Sequence, residues 1–144
     1  MPTFVQNDDV LKYMIANGFL DAGGGRKMSP PKAKTADYTI VTGTDPSATL
    51  FTNRGATAAV IFTLPAPVAA LAGVFYDFLG IADFGISAKT ATADTMVILN
   101  DIAGKQVGAV GAATLIGAYF RCICDGTQWI GVGLSVGTVF THTA

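Results

Sequence analysis

Tyr119-Phe-Arg-Cys-Ile-Cys-Asp-Gly-Thr-Gln-Trp-Ile-Gly-Val-Gly-Leu134 is the stretch that decides the fold class. Asp125-Gly126 stands between two runs rich in aromatic and branched side chains. That pattern marks a β-hairpin, because Asp and Gly accept the backbone that a tight turn needs. The first strand is expected over 114–124 and the second over 128–134. Leu115, Tyr119 and Ile123 alternate with Ile116, Phe120, Cys122 and Cys124, so both faces of the first strand are apolar. Such a strand belongs in the middle of a sheet or under another subunit.

The same texture runs back to Asp37. Short runs of Val, Ile, Phe, Tyr and Thr recur every eight to twelve or so positions, the spacing of an all-β sandwich or barrel. Further strands are expected near 38–42, 49–52, 59–64, 73–81, 85–91, 95–100 and 138–141. Thr44-Asp-Pro-Ser47, Asn53-Arg-Gly55, Leu64-Pro-Ala-Pro67 and Asn100-Asp-Ile-Ala-Gly104 supply turns between them. No sequence repeat of fixed period is present, which argues against solenoids and propellers. The charge-free run from Gly55 to Tyr76 is long enough to span a bilayer as a helix, but Pro65 and Pro67 break its middle. A strand, a proline turn and a second strand explain it with less strain. The expected fold is therefore a β-sandwich or jelly-roll-like barrel over residues 37–144.

Residues 1–36 read differently. Asp8 and Asp9 can cap a helix, Val10, Leu11, Met14 and Ile15 form an apolar stripe at helical spacing, and Asn17-Gly18 supplies a stop. After this short helix, Ala22-Gly-Gly-Gly-Arg-Lys-Met-Ser-Pro-Pro-Lys-Ala-Lys34 combines flexible glycines, extended prolines and four cations, Arg26, Lys27, Lys32 and Lys34. It reads as an extended arm.

Composition limits the chemistry. The chain has 144 residues, 51% hydrophobic and 13% charged, with a net charge of −1. Its acids are all aspartate and it has a single histidine, which leaves few ways to assemble an acid, a base and an orienting partner. An enzyme is not expected. Gly23-Gly-Gly-Arg-Lys-Met-Ser29 fails as a phosphate loop because Arg26 separates Gly25 from Lys27, and Gly131-Val-Gly133-Leu-Ser-Val-Gly137 misses the dinucleotide fingerprint. Cys122, Cys124 and a tail histidine, His142, do not make a zinc set, and no metal or cofactor is expected. The aspartates are expected mostly in turns and caps. Cys122 and Cys124 are read as small buried hydrophobes, with an intersubunit thiol or metal contact as the alternative. Without a basic field or interleaved aromatics, neither nucleic acid nor a membrane is an expected partner, and no small-molecule substrate is suggested. The N-terminus lacks the basic start and apolar run of a secretory signal, so synthesis in a cytosol is expected. A mean hydropathy of +0.48 with so few charges implies a surface covered by a partner, as in a homo-oligomer or an assembly component.

Ala36-Asp-Tyr-Thr-Ile-Val-Thr42, followed by Ala48-Thr-Leu-Phe-Thr-Asn-Arg-Gly-Ala-Thr-Ala-Ala-Val-Ile-Phe-Thr-Leu-Pro-Ala-Pro67, resembles small structural proteins of tailed bacteriophages. A Tyr-Thr strand there leads to a Leu-Phe-x-Asn-x-Gly turn and an apolar strand ending Thr-Leu-Pro. The likeness extends more loosely through Gly73-Val-Phe-Tyr-Asp-Phe78, Asp94-Thr-Met-Val-Ile-Leu99 and the Asp125–Ile130 turn, over about residues 36–134. Such sequences are similar to capsid decoration (cement) proteins and to β-rich fibre modules. The resemblance implies a virion structural protein on the capsid exterior, bridging copies of the major capsid protein, with neighbouring copies as further partners. The arm residues Val10, Leu11, Met14, Ile15, Arg26, Lys27, Lys32 and Lys34 are the expected shell contacts. The alternative is a fibre or receptor-binding module recognising a host glycan through Tyr38, Tyr119 and Trp129.

Overall fold

The computed structural model describes residues 29–91, 94–98, 101–109, 116–134 and 140–143. The chain divides between Pro30 and Pro31 into two units, and the β-fold belongs to the second, Pro31–Ala144. The described residues are nearly all β, as the sequence implies. They form β1 (Lys32–Ala33), β2 (Tyr38–Thr39), β3 (Thr49–Thr52), β4 (Val60–Thr63), β5 (Phe75–Leu79), β6 (Ile86–Lys89), β7 (Met96–Ile98), β8 (Asp101–Gly104), β9 (Gln106–Ala109), β10 (Tyr119–Cys124), β11 (Trp129–Leu134) and β12 (Phe140–Thr143). A single 3-10 turn, Ala69–Leu71, interrupts them.

Two sheets result. One is seven-stranded in the order β1-β3-β5-β10-β11-β7-β8, and the other is five-stranded in the order β12-β9-β6-β4-β2. From β1 to β6 the chain alternates between them, so β1, β3 and β5 lie parallel in one sheet while β2, β4 and β6 lie parallel in the other. A parallel pair needs a crossover, and here the crossover is a strand of the opposite sheet. The N-terminal half is thus wound as coils, an arrangement that the lack of a sequence repeat argues against. That argument fails because the turns of the coil differ in length. In-register positions are 19 and 27 residues apart along Lys32, Phe51 and Phe78, and 24 and 26 along Tyr38, Phe62 and Ala88. Five of the ten described strand pairings are parallel, which separates the topology from an antiparallel jelly roll.

The core lies between the sheets. Phe51, Phe78 and Phe120 are in register on β3, β5 and β10, and their rings stack at 5.7 Å and 4.7 Å between centroids. From the facing sheet Phe62 meets Phe51 and Phe78, each at 5.1 Å. Pairs of this kind add roughly 0.5–1.5 kcal/mol beyond the area they bury. Trp129 packs against Tyr76 at 5.8 Å and donates its indole N–H to the carbonyl of Pro65 at 2.9 Å. Cys122 and Cys124 are buried on the inner face, as the reading of them as small hydrophobes implies, and burial pushes the Cys122 thiol up. Gly131 admits Val107 of the opposite sheet, because a Cβ there would lie 3.2 Å from its Cγ1.

The Asp125-Gly126 hairpin is present, closed by a four-residue loop with Cys124 opposite Trp129. Asp125 Oδ1 accepts from the N–H groups of Thr127 and Gln128 and from the Thr127 hydroxyl, which holds its carboxyl below the ordinary value. β10 is central, as its two apolar faces imply, but it begins at Tyr119; Ile116-Gly117 forms a turn with Gly117 at φ +91°. Asp101–Gly104, expected as a turn, is strand β8, and β1 and β9 are strands beyond those the sequence suggests. The sheet begins at Lys32, inside the segment expected as arm. The expected N-terminal helix lies outside the described residues.

Residues 55–76 hold β4 and the start of β5 rather than one helix; between them an irregular stretch through Pro65 and Pro67 leads into the 3-10 turn, where the sequence suggests a proline turn. No helix among the described residues is long and apolar enough to cross a membrane.

Candidate functional site

The outer faces of the two sheets differ in chemistry. On the five-stranded sheet, Thr39, Thr63, Lys89 and Gln106 form one row across β2, β4, β6 and β9, and Gln106 donates to the hydroxyl of Ser87 in the next row at 2.9 Å. Ile61 is the apolar exception. This is a face suited to water.

The seven-stranded sheet presents another surface. One row across β5, β10, β11 and β7 reads Phe75, Ile123, Ile130, Val97. The next reads Leu50, Asp77, Arg121, Val132 across β3, β5, β10 and β11. Leu79 and Tyr119 follow beside it. Strand alternation explains the pattern, since Tyr76, Phe78, Phe120 and Cys122 point inward and leave the odd-numbered positions outside. Val132 is 53% exposed. Tyr119, Arg121, Ile123 and Val132 line a cavity of about 300 Å³ on this face.

Its two charges neutralise each other. Arg121 Nε and Nη2 donate to the two carboxylate oxygens of Asp77 at 2.6 and 2.9 Å, and the Tyr119 hydroxyl donates to Oδ1 at 2.7 Å. Asp77 is 4% exposed, and the guanidinium lies 4.3 Å over the Phe75 ring. The hydrogen bonds to Asp77 hold the Arg121 proton more firmly than usual. Burial, then the hydrogen bond to Asp77, raises the Tyr119 phenol. A fork-on-carboxylate pair with a third donor leaves Asp77 nothing further to seek. The sequence carries a signal for this cluster in the lone charges of Phe75-Tyr-Asp-Phe-Leu79 and Tyr119-Phe-Arg-Cys-Ile123, each at an outer position of an apolar run. Asp77 lies mid-strand, an exception among aspartates expected mostly in turns and caps.

A second polar cluster pins β1. Lys32 Nζ donates to Asp45 Oδ1 at 2.5 Å and to the Thr44 carbonyl at 2.6 Å, while Asp45 Oδ2 accepts from the Tyr38 hydroxyl and the Val41 N–H, both at 3.0 Å. Asp45 is fully buried, which by itself would raise its carboxyl; the Lys32 ammonium and the other donors outweigh this and hold it below its ordinary value. Lys34 Nζ sits 3.5 Å from the centroid of the Tyr38 ring. Lys32 and Lys34, expected as shell contacts on an arm, are therefore engaged inside the β-unit. Val10, Leu11, Met14, Ile15, Arg26 and Lys27 lie outside the described residues.

The aromatic residues read as glycan contacts are not brought together. Trp129 is fully buried and has no face to offer a sugar, Tyr38 belongs to the Asp45 cluster, and only Tyr119 borders the cavity. The residues that carry the phage resemblance have structural roles. Asn53, fully buried, accepts from the N–H groups of Ile81 and Ala82 and donates to the carbonyls of Ala82 and Phe84, tying β3 to the loop before β6. Gly55 follows at φ +80°, Phe51 and Leu64 are core, and Pro65 receives the Trp129 indole.

Among the described residues no group of three or more His, Cys and Asp side chains is placed to hold a metal ion. The backbone of His142 is held in β12 opposite Val107. No protein-family model matches the chain, and no curated protein matches it.

Proposed function

We propose that this chain is a virion structural protein, a capsid decoration protein whose two sheets form a β-sandwich that lies on the outer capsid surface and bridges copies of the major capsid protein. The observation that carries the reading is the outer face of the seven-stranded sheet. It is apolar, and its one ion pair is already satisfied, so covering it strands no charge. Docking by such a face is worth little at one site and much when repeated over a lattice. The phage-like motif of residues 36–67 supports the same reading through the turn and core residues that build the fold. The protein acts by adding contact area rather than by chemistry, takes no cofactor and binds neither nucleic acid nor membrane. It is made in the host cytoplasm and carried on the virion exterior. The fibre or glycan-binding alternative loses the fully buried Trp129 and keeps Tyr38 and Tyr119, both partly exposed, as its contacts.

Co-sedimentation with expanded, genome-free capsids of the parent phage tests the proposal. Saturable binding at a simple ratio to the shell protein is expected. Protein left in the supernatant at all concentrations rejects it.

A further inference from the structure

We infer that Lys32 and Asp45 react with each other, so that the chain staples its own first strand in place through an isopeptide bond between the two side chains. The site is assembled for that step. Lys32 stands on β1, an edge strand of two residues, and Asp45 lies 13 positions on, fully buried in the loop after β2. Lys32 Nζ is 2.5 Å from Asp45 Oδ1 and also donates to the Thr44 carbonyl at 2.6 Å, which fixes the nitrogen against the carboxyl group. A nitrogen that close to one carboxylate oxygen lies about 3–3.5 Å from the carbon, the separation from which held groups react. The other oxygen, Oδ2, accepts from the Tyr38 hydroxyl and the Val41 N–H, both at 3.0 Å. Two donors thus stand where negative charge develops when the carbon is attacked.

The step needs no co-reactant. One proton passes from Nζ to Oδ1 along their hydrogen bond, which leaves a neutral amine with its lone pair towards the carboxyl group. Nζ then bonds to Cγ, the Cγ–Oδ1 bond breaks, and Oδ1 takes a second proton from the nitrogen and departs as water. Ammonium and carboxylate become one secondary amide and one water, with nothing oxidised or reduced. The burial of Asp45 shields the amide from bulk water. The pair rests as ions, so the freshly folded chain carries the salt bridge and the link accumulates with time. Arg121 and Asp77 cannot follow the same course, because a guanidinium does not give up its proton. The two compact units of the chain divide between Pro30 and Pro31, so the bond fastens the first strand after that break, one whose ladder to β3 is only two residues long.

Intact-mass spectrometry of the full chain, kept folded for several days near body temperature at neutral pH, reads the reaction. The wild type is expected to lose the mass of one water, and its tryptic digest to contain residues 28–34 joined to residues 35–54. The digest is needed because Asp125-Gly126 can also lose a water, by closing a ring on its own backbone. Lys32→Arg keeps the ion pair without an amine able to react; it is expected to stay folded by circular dichroism and to yield no joined peptide. Tyr38→Phe removes one donor to Oδ2 and is expected to slow the link about a hundredfold. A folded wild type that keeps its full mass, or a water loss that maps only outside Lys32 and Asp45, overturns the inference. Capsid binding is measured separately, so the cross-link and decoration stand or fall independently.

Discussion

Arg121 grips Asp77 through two hydrogen bonds of 2.6 and 2.9 Å, across a sequence separation of 44 residues, in the middle of an otherwise apolar sheet face. The pair joins β5 to β10 and lets a nearly buried carboxylate exist beneath a surface suited to contact. Breaking one side of it strands the other. Arg121→Met is expected to cost about 2 kcal/mol, below the usual range for a buried pair because the arginine side chain is 38% exposed and partly screened. The double variant Asp77→Leu/Arg121→Met is expected to recover most of that loss. Urea unfolding of the three proteins gives the comparison, and a double variant no more stable than Arg121→Met would mean that the pair is not what holds Asp77.

The Asp45 cluster predicts an acid limb in the stability profile. Its folded carboxyl lies below the ordinary value of 3.8, so the stabilisation is fully present above that value and is lost as pH falls through the folded one. The urea midpoint is expected to stay level from neutral pH to about pH 5 and to fall below about pH 4. Asp45→Asn is expected to lower the midpoint at neutral pH and to flatten the acid limb. Asp125 titrates in the same window, so the informative quantity is the difference between the two proteins at each pH.

Asn53 makes four hydrogen bonds to three residues of one loop from a fully buried position. Asn53→Ala leaves those backbone groups without their partner and is expected to cost about 2–3 kcal/mol. Asn53→Asp keeps the acceptor for Ile81 and Ala82 but sets a carboxylate against the carbonyl oxygens of Ala82 and Phe84, and is expected to be no better. Thermal unfolding by circular dichroism measures both.

Trp129 and the two thiols report on the core. Trp129→Ala is expected to cost about 3–5 kcal/mol through the cavity it leaves, whether or not any sugar binds. Cys122 and Cys124 are expected to be unreactive towards a thiol reagent at pH 8 in the folded protein and to give two equivalents in urea. Rapid labelling of the native chain would contradict their burial.

How much of this the sequence reveals depends on the range of each interaction. The hairpin is legible because Asp125-Gly126 and the alternation on either side of it are local. The central place of β10 follows from its two apolar faces. The coiled winding of β1 to β6 is hidden, since parallel register joins residues 19 to 27 positions apart at uneven intervals and leaves no fixed period. β1 and β8 escape a local reading because Lys32-Ala33 and Asp101-Ile-Ala-Gly104 have the composition of linkers and turns; they are strands because a neighbouring edge takes them up. Lys32 and Lys34 read as arm charges for the same reason, as nothing near them in sequence announces Asp45 or the Tyr38 ring. The outer face of the seven-stranded sheet is half legible. Alternate apolar positions, odd-numbered on β5 and β10 and even-numbered on β11, can be picked out along the sequence, but their alignment into rows around the Asp77–Arg121 pair comes from the register.

Decoration requires that this protein cover a shell in many copies. Quantitative mass spectrometry of purified virions, counting this chain against the major capsid protein, tests that most directly. The expected result is a fixed ratio of small integers, with hundreds of copies per particle. A handful of copies per virion would contradict decoration and place the chain in a fibre or tail.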